Sequence, residues 1–485
     1  MSYWIEGALV PSADLPIEPF GHQPNRYTAV DVAIAAGAIA AITPTETQPC
    51  SAGAERVDGR DKLLLPGWVN AHTHSPEMWT RGWIPPLPLE LWLAELYAHP
   101  LRDTEQVYLA ALLTALETLQ SGGTTVVDHL VLLPGRELES IAAADRAYRN
   151  IGIRAYIAPL IQDEPFEYSL PGGRGLEVQS IAPSTREVLQ WLATAVEQFH
   201  RPAEGISIVL APTGIQLCSE DLLEGCVALS QAQGLCRHSH LLETKAQALL
   251  AAEKYGMTAV DYLATVGFLG PETSLAHCVW LSDRDTEIVA ESGTTVVHNP
   301  LSNLRLGSGI APILNYVRQG VNVSFGCDGA ASNDGQNLLE VLKIGSMLHN
   351  VTDFEYRHWL SPQQVSRMAS QGGAKGLNTD AFGRLAVGQE ADLMLFDLQQ
   401  SELLPPTDPL GQLIWGRPSQ PVHSAWVRGK QIIAAGQMLT IEVDYLKDRL
   451  LDYPDWLTNR SEGMRDRLER HYRRVMGLSD GDTPC

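Results

Sequence analysis

The stretch LLLPGWVNAHTHS, Leu63 to Ser75, reads as a β-strand that ends in polar side chains. A short apolar run carrying Trp68 and Val69 gives way to Asn70-Ala71-His72-Thr73-His74. On extended backbone, side chains two apart point the same way, so His72 and His74 converge on one side of the strand end. A lone histidine at such a place is ordinarily a satisfied polar residue. Two together form the beginning of a metal site.

The same alternation of strand and helix continues downstream. Strands are predicted near Leu63–Ala71, Thr124–Asp128, Arg154–Leu160, Ile206–Ala211, Leu235–His240, Thr273–His277, Thr294–His298 and Asn322–Gly326. Helical periodicity fills the gaps at Val107–Leu119, Ser184–His200, Glu220–Gln233, Thr244–Tyr255, Asp283–Ser292 and Leu338–Leu348. Alternating units of this kind predict an α/β fold, a closed parallel (β/α)8 TIM barrel. Further β-rich runs lie before it, at Trp4–Val10 and Val30–Ile42, and after it, at Ala391–Leu398 and Ala425–Ala434. They predict a composite β-sandwich built from both chain ends. The expected division is 1–65 and 379–440 for the sandwich, 66–378 for the barrel and 441–485 for a helical C-terminal extension.

Barrels of this type place their active sites at the carboxyl ends of the strands. There the fifth strand ends at His240, the sixth at His277 and the seventh at His298, and the eighth runs Ser324-Phe325-Gly326-Cys327-Asp328. Only barrel closure brings such residues to the two histidines of the first strand. Imidazole and carboxylate ligands suit zinc or iron(II), and three histidines with one carboxylate leave a position for water.

Five motifs occur in order: LLLPGWVNAHTHS at Leu63, HLLET at His240, AHCVWL at Ala276, HNPLSNLRLGSGIAP at His298 and CDGAASNDGQN at Cys327. The set resembles the amidohydrolase superfamily, in particular its aminohydrolase and chlorohydrolase subgroup, which includes S-adenosylhomocysteine deaminase, guanine deaminase and triazine hydrolases. GRLAVGQEADLMLFDL at Gly383 and VRGKQIIAAGQ at Val427 look like that family's accessory sandwich returning after the barrel. The resemblance implies one divalent metal per chain, zinc or iron(II), bound by His72, His74, His240 and Asp328. It implies that Glu243 carries a proton from the attacking water to a ring nitrogen, and that His277 orients the nucleophile and stabilises oxygen charge. Asp328 would take the remaining proton and pass it to the departing nitrogen.

Substrate-contact candidates lie between the motifs: Glu77, Trp79, Arg81, Trp83 and Trp92 after the metal pair, Arg174 in a glycine-rich loop, and Thr213 and Gln216 after the fourth strand. Each has a plainer reading as packing or surface solvation. His298, Asn299, Ser302 and Asn303 read as loop bracing, and His238 as a core residue one layer deeper than His240. Lys245 lies away from the place where a carboxylated lysine bridges two ions in binuclear members. One departure concerns the substrate: Ala211-Pro212-Thr213 lacks the histidine that nucleoside-type deaminases of the subgroup carry there, which argues for a free base or pterin-like ring.

The expected activity is hydrolytic deamination of an aminated nitrogen heterocycle of purine, pterin, pyrimidine or triazine type. Alternatives are removal of chloride or a substituted amine from such a ring, or a catalytically inactive scaffold. The chain carries 35 basic against 57 acidic residues, a net charge of -22 that disfavours nucleic acid and anionic membranes as partners. Seven scattered cysteines without a CxxC pair and an amino terminus without a basic and apolar leader lead us to expect a cytoplasmic enzyme. A homo-oligomer is compatible with the sequence, with the tail as a docking element.

Overall fold

The Leu63–Ser75 stretch is two strands, not one. Lys62–Pro66 pairs antiparallel with Leu393–Asp397, after which the chain changes sheet and Trp68–Thr73 enters the barrel. The switch occurs at Gly67, whose N–H donates to Asp392 O at 2.9 Å. A Cβ there would lie 2.1 Å from Thr124 Oγ1, so only glycine lets the two sheets approach so closely. An apolar run shows burial but not which sheet buries each half, which is why the break is invisible in the sequence.

This computed structural model describes residues 2–15, 26–47, 50, 53–178, 180–416, 418–453 and 463–478. Its barrel strands run parallel in two arcs. The first contains Trp68–Thr73, Gly123–Leu130, Arg154–Ile161 and the broken pair Ile206–Ile208 and Ala211–Pro212. The second contains Arg237–Leu241, Thr273–His277, Thr295–His298 and Asn322–Phe325. Backbone hydrogen bonds join the arcs at both seams, from His238 N to Leu210 O at 3.0 Å and from Asp328 N to His72 O at 2.9 Å. The result is a (β/α)8 barrel.

The outer helices start where side chains supply the missing acceptors. Asp103, Ser184, Ser219, Thr244, Ser282 and Asn337 each accept a backbone N–H from the first turn of the helix that follows. Helix Glu137–Ile151 fills the gap between the second and third strands, where the periodicity gave no element. It buries Ile141, Ala144, Tyr148 and Ile151, apolar positions at helical spacing on one face.

A nine-stranded sheet draws its strands from both ends of the chain, and Lys62–Pro66 is its junction between them. Arg154 at the start of the third barrel strand ties this sheet to the barrel. Its guanidinium donates to Asp392 Oδ2 at 2.8 Å and Oδ1 at 3.1 Å, and also to Glu390. Beyond the sheet, helix Gly463–Val475 packs on helix Leu89–Tyr97, where Leu468 and Tyr472 meet Leu91, Ala94, Phe166 and Leu170. Arg465 pairs with Glu95 at 2.8 Å across the same contact. Part of the expected tail, 454–462, lies outside the described residues. Among the described residues no helix is long and apolar enough to cross a membrane.

The Arg154 clamp is buried, so its loss has a sign that can be fixed in advance. Arg154→Met strands the Asp392 carboxylate without its partner and is expected to cost about 3–5 kcal/mol in urea unfolding. Adding Asp392→Leu removes the orphaned charge and should recover part of that loss; equal stability of the single variant and the parent would show that the clamp contributes nothing.

Candidate active site and metal centre

Five strand ends deliver the chemistry. His72 and His74 come from the first strand, His129 from the second, His240 from the fifth and His277 from the sixth, while Asp328 follows the eighth. His277 and Asp328 hold φ angles of 74° and 62°, in the left-handed region that costs a residue other than glycine about 1–3 kcal/mol. The surroundings hold both. The Asp328 carbonyl accepts from Thr73 Oγ1 at 2.9 Å and Gln336 Nε2 at 2.6 Å, and His277 Nδ1 bonds Asn303 Oδ1 at 2.9 Å.

The donor atoms test whether a cation fits. His74 Nδ1 donates to the His129 carbonyl at 2.6 Å and His240 Nδ1 to the Thr213 carbonyl at 2.7 Å. A carbonyl only accepts, so each ring carries its proton on Nδ1 and presents a bare lone pair at Nε2 when neutral. Those two Nε2 atoms lie 3.0 Å apart, with no proton to bond them. His72 Nε2 has no hydrogen-bond partner and lies 3.3 Å from Asp328 Oδ1, while its Nδ1 bonds His238 Nε2 at 2.8 Å. Lone pairs crowded together in a buried site fit a divalent metal ion at their centre.

His129 is the residue that sequence reasoning missed. A donor atom of His129 lies within 4.8 Å of those of His72, His74 and His240, and its ring stacks on that of His240 at 4.7 Å. Its Nε2 donates to the Ala211 carbonyl at 3.0 Å, which leaves Nδ1 without a partner. The available signal was a further histidine at a strand end, one residue past the expected limit of Thr124–Asp128.

Glu243 stands over the centre. Its Oε1 accepts from Ser308 Oγ at 3.0 Å, and its Oε2 lies 3.5 Å from His277 Nε2. Burial pushes its carboxyl up to about 7, which makes it able to hold or release a proton near neutrality. The lining of the cavity above includes Glu77, Trp92, Thr213 and Gln216. The other expected contacts sit elsewhere: Arg81 makes a two-pronged pair with Glu117, Trp79 Nε1 donates to Gln106 O, and Arg174 pairs with Glu164 over the Tyr168 ring. His298 faces away, against His349 at 3.2 Å.

Burial pushes the His72 imidazole down to about 4, and holds His129, His238 and His240 well below the usual imidazole range, with neighbouring histidines adding to the effect. The unfolded chain protonates such rings near pH 6.5, so below that pH the unfolded state binds more protons at these rings than the folded one does. Taken alone, the His72 ring therefore loses about 3 kcal/mol of stability as pH falls from about 6.5 towards about 4, while the Glu243 carboxyl, raised to about 7, gains a similar amount over nearly the same range. Metal-free parent and metal-free Glu243→Gln, followed by denaturant titration between pH 7 and 4, should therefore diverge, the variant losing about 3 kcal/mol more over that range; parallel profiles would mean that the Glu243 carboxyl is not raised in the fold.

The Amidohydrolase family profile matches residues 63–432. The chain is 33% identical over 389 residues to a 5'-deoxyadenosine deaminase of Methanosarcina barkeri, covering 80% of this chain and 84% of that protein. It is 32% identical over 446 residues to a 5-methylthioadenosine/S-adenosylhomocysteine deaminase of Syntrophobacter fumaroxidans, covering 91% and 96%. Among solved structures it is similar to an adenosine deaminase from Xanthomonas campestris with bound zinc, at TM-score 0.81, 26% identity and coverage of 96% and 98%. It is also similar to an atrazine chlorohydrolase from Arthrobacter aurescens complexed with zinc, at TM-score 0.83, 25% identity and coverage of 93% and 99%. The profile match spans most of the barrel and reaches the returning strands of the outer sheet, and on that ground this chain belongs to the amidohydrolase family.

Proposed function

We propose that the protein hydrolytically deaminates an aminated nitrogen heterocycle and releases ammonia. The observation that carries this reading is the meeting of four lone-pair donors, Glu243 and His277 at the floor of one buried cavity. His72, His74, His240 and Asp328 hold one divalent ion, which we take to be zinc by analogy with the two zinc-bound neighbours. When bound, such an ion lowers the pKa of water from about 15.7 towards about 7 and so supplies the nucleophile.

The chain's own groups then account for the protons. Glu243 takes one from the attacking water and gives it to the ring nitrogen beside the attacked carbon, which removes the negative charge that addition would leave there. His277, braced by Asn303, faces the Glu243 and Asp328 carboxyls at 3.5 and 3.8 Å and stabilises charge on the incoming oxygen. Asp328 receives the second proton and returns it to the amine, which leaves as ammonia. The relatives act by name on adenosine derivatives, which supports deamination. Thr213 stands where nucleoside-type members carry a histidine, so we favour a free base or pterin-like ring.

Purified protein should hold about one divalent ion per chain, with zinc the dominant element on analysis. His74→Ala should lose metal and turnover together, whereas Glu243→Gln should keep its metal and lose a factor of about 100 to 10,000 in rate. A Glu243→Gln enzyme with near-parental rates would show that another group moves the proton. Ammonia release is to be screened over purines, 5'-deoxyadenosine, pterins, pyrimidines and triazines; chloride release without ammonia would move the assignment to dechlorination.

A further inference from the structure

The roof of the cavity carries polar atoms that the reaction does not use. Helix Leu89–Tyr97 crosses the barrel mouth and places Leu89, Glu90, Trp92, Leu93, Leu96 and Tyr97 in the cavity wall. Glu90 is 4% exposed. Its Oε1 accepts from Thr244 Oγ1, next to Glu243, and its Oε2 is buried without a partner. Trp92 Nε1, on the same helix, is likewise buried and unpartnered.

A buried carboxyl oxygen left unpaired is costly, and the usual explanation is a group that arrives later. Nothing cationic is at hand to satisfy it: among the described residues lining the cavity there are four carboxyls, Glu77, Glu90, Glu243 and Asp328, and no lysine or arginine. Such a lining offers no cationic side chain to phosphate or carboxylate and presents acceptors to N–H groups. Leu93, Leu96, Leu217 and Leu306 supply apolar walls for the faces of a flat ring.

We infer that Glu90 is a specificity-determining residue that accepts a hydrogen bond from an amino or ring N–H group of the substrate other than the amine that leaves. The enzyme thereby selects uncharged or protonated heterocycles bearing at least one additional N–H donor, of the diaminopurine, guanine, pterin or diaminotriazine kind, over singly aminated rings and over phosphorylated ones. This rests on the deamination reading for the placement of the reacting edge at Glu243. The helix that carries Glu90 is fixed from outside by Leu468 and Tyr472, so the carboxyl is held in place before any ligand arrives.

The test compares matched rings that differ by one amino group and carry no ring N–H: 2,6-diamino-9-methylpurine with 9-methyladenine, and 2,4-diamino-1,3,5-triazine with 2-amino-1,3,5-triazine. Equilibrium binding is measured by calorimetry on zinc-loaded Glu243→Gln protein, and kcat/KM on the zinc-loaded parent. A hydrogen bond to a buried carboxylate predicts about 10- to 100-fold tighter binding of the ring with the extra donor. Glu90→Leu should bring that ratio close to one with zinc content retained. Glu90→Gln, which keeps an acceptor for Thr244 Oγ1, should lower the ratio and serves if the leucine variant fails to fold. An unchanged ratio in either folded variant, or no preference with Glu90 intact, overturns the assignment. Preferential binding that depends on Glu90, with no ammonia released from any ring by the zinc-loaded parent, would instead overturn the deamination reading and leave Glu90 as a recognition group.

Discussion

Two imidazole nitrogens whose neutral rings carry their single protons on the opposite nitrogens cannot hydrogen-bond each other. In this protein the backbone enforces that condition: the carbonyls of His129 and Thr213 accept hydrogen bonds from the Nδ1–H groups of His74 and His240, and the bare Nε2 atoms meet at 3.0 Å. The arrangement depends on barrel closure, because one carbonyl belongs to the second strand and the other follows the fourth. It also depends on the left-handed backbone at His277 and Asp328, without which these side chains would leave the strand ends in other directions. The energy stored there is matched by bonds such as those from Thr73 and Gln336 to the Asp328 carbonyl, which have no role in the chemistry except to hold the residue that performs it.

Much of this was legible in the sequence because period and order are strong signals. The eight strand ends could be ranked by their terminal polar residues, and His72, His74, His240, His277 and Asp328 do converge in the structure. What escaped was decided by tertiary contact. The division of Leu63–Ser75 between two sheets depends on how closely Gly67 approaches Thr124. Arg81 and Trp79 looked like mouth residues by their distance from His74, but a short helical turn over Ser75–Thr80 directs them towards Glu117 and Gln106 instead. His129 and Glu90 were overlooked because neither stands in a recognisable motif, and the relevance of each follows from an unpartnered atom rather than from spacing.

The site is consequently layered. Its floor is made of barrel strand ends and is rigid, with side chains locked by second hydrogen bonds such as His72 to His238 and His238 to Ser274. Its roof is a single short helix, amenable to change without disturbing the donors beneath. Such a division separates the reaction from the choice of substrate: the same floor can serve different rings as the roof is altered.

The roof has one further property. Helix Leu89–Tyr97 belongs to the first fifth of the chain, yet the partner that covers its outer face is Gly463–Val475, close to the other end. During synthesis the barrel can wind strand by strand as it emerges, and its eighth strand is complete by Phe325. The cover over the mouth must wait until well over a hundred more residues have been added. A ribosome-bound chain can therefore own a finished metal floor beneath an unsupported roof, so that acquisition of metal and acquisition of substrate discrimination become separate events in the protein's maturation.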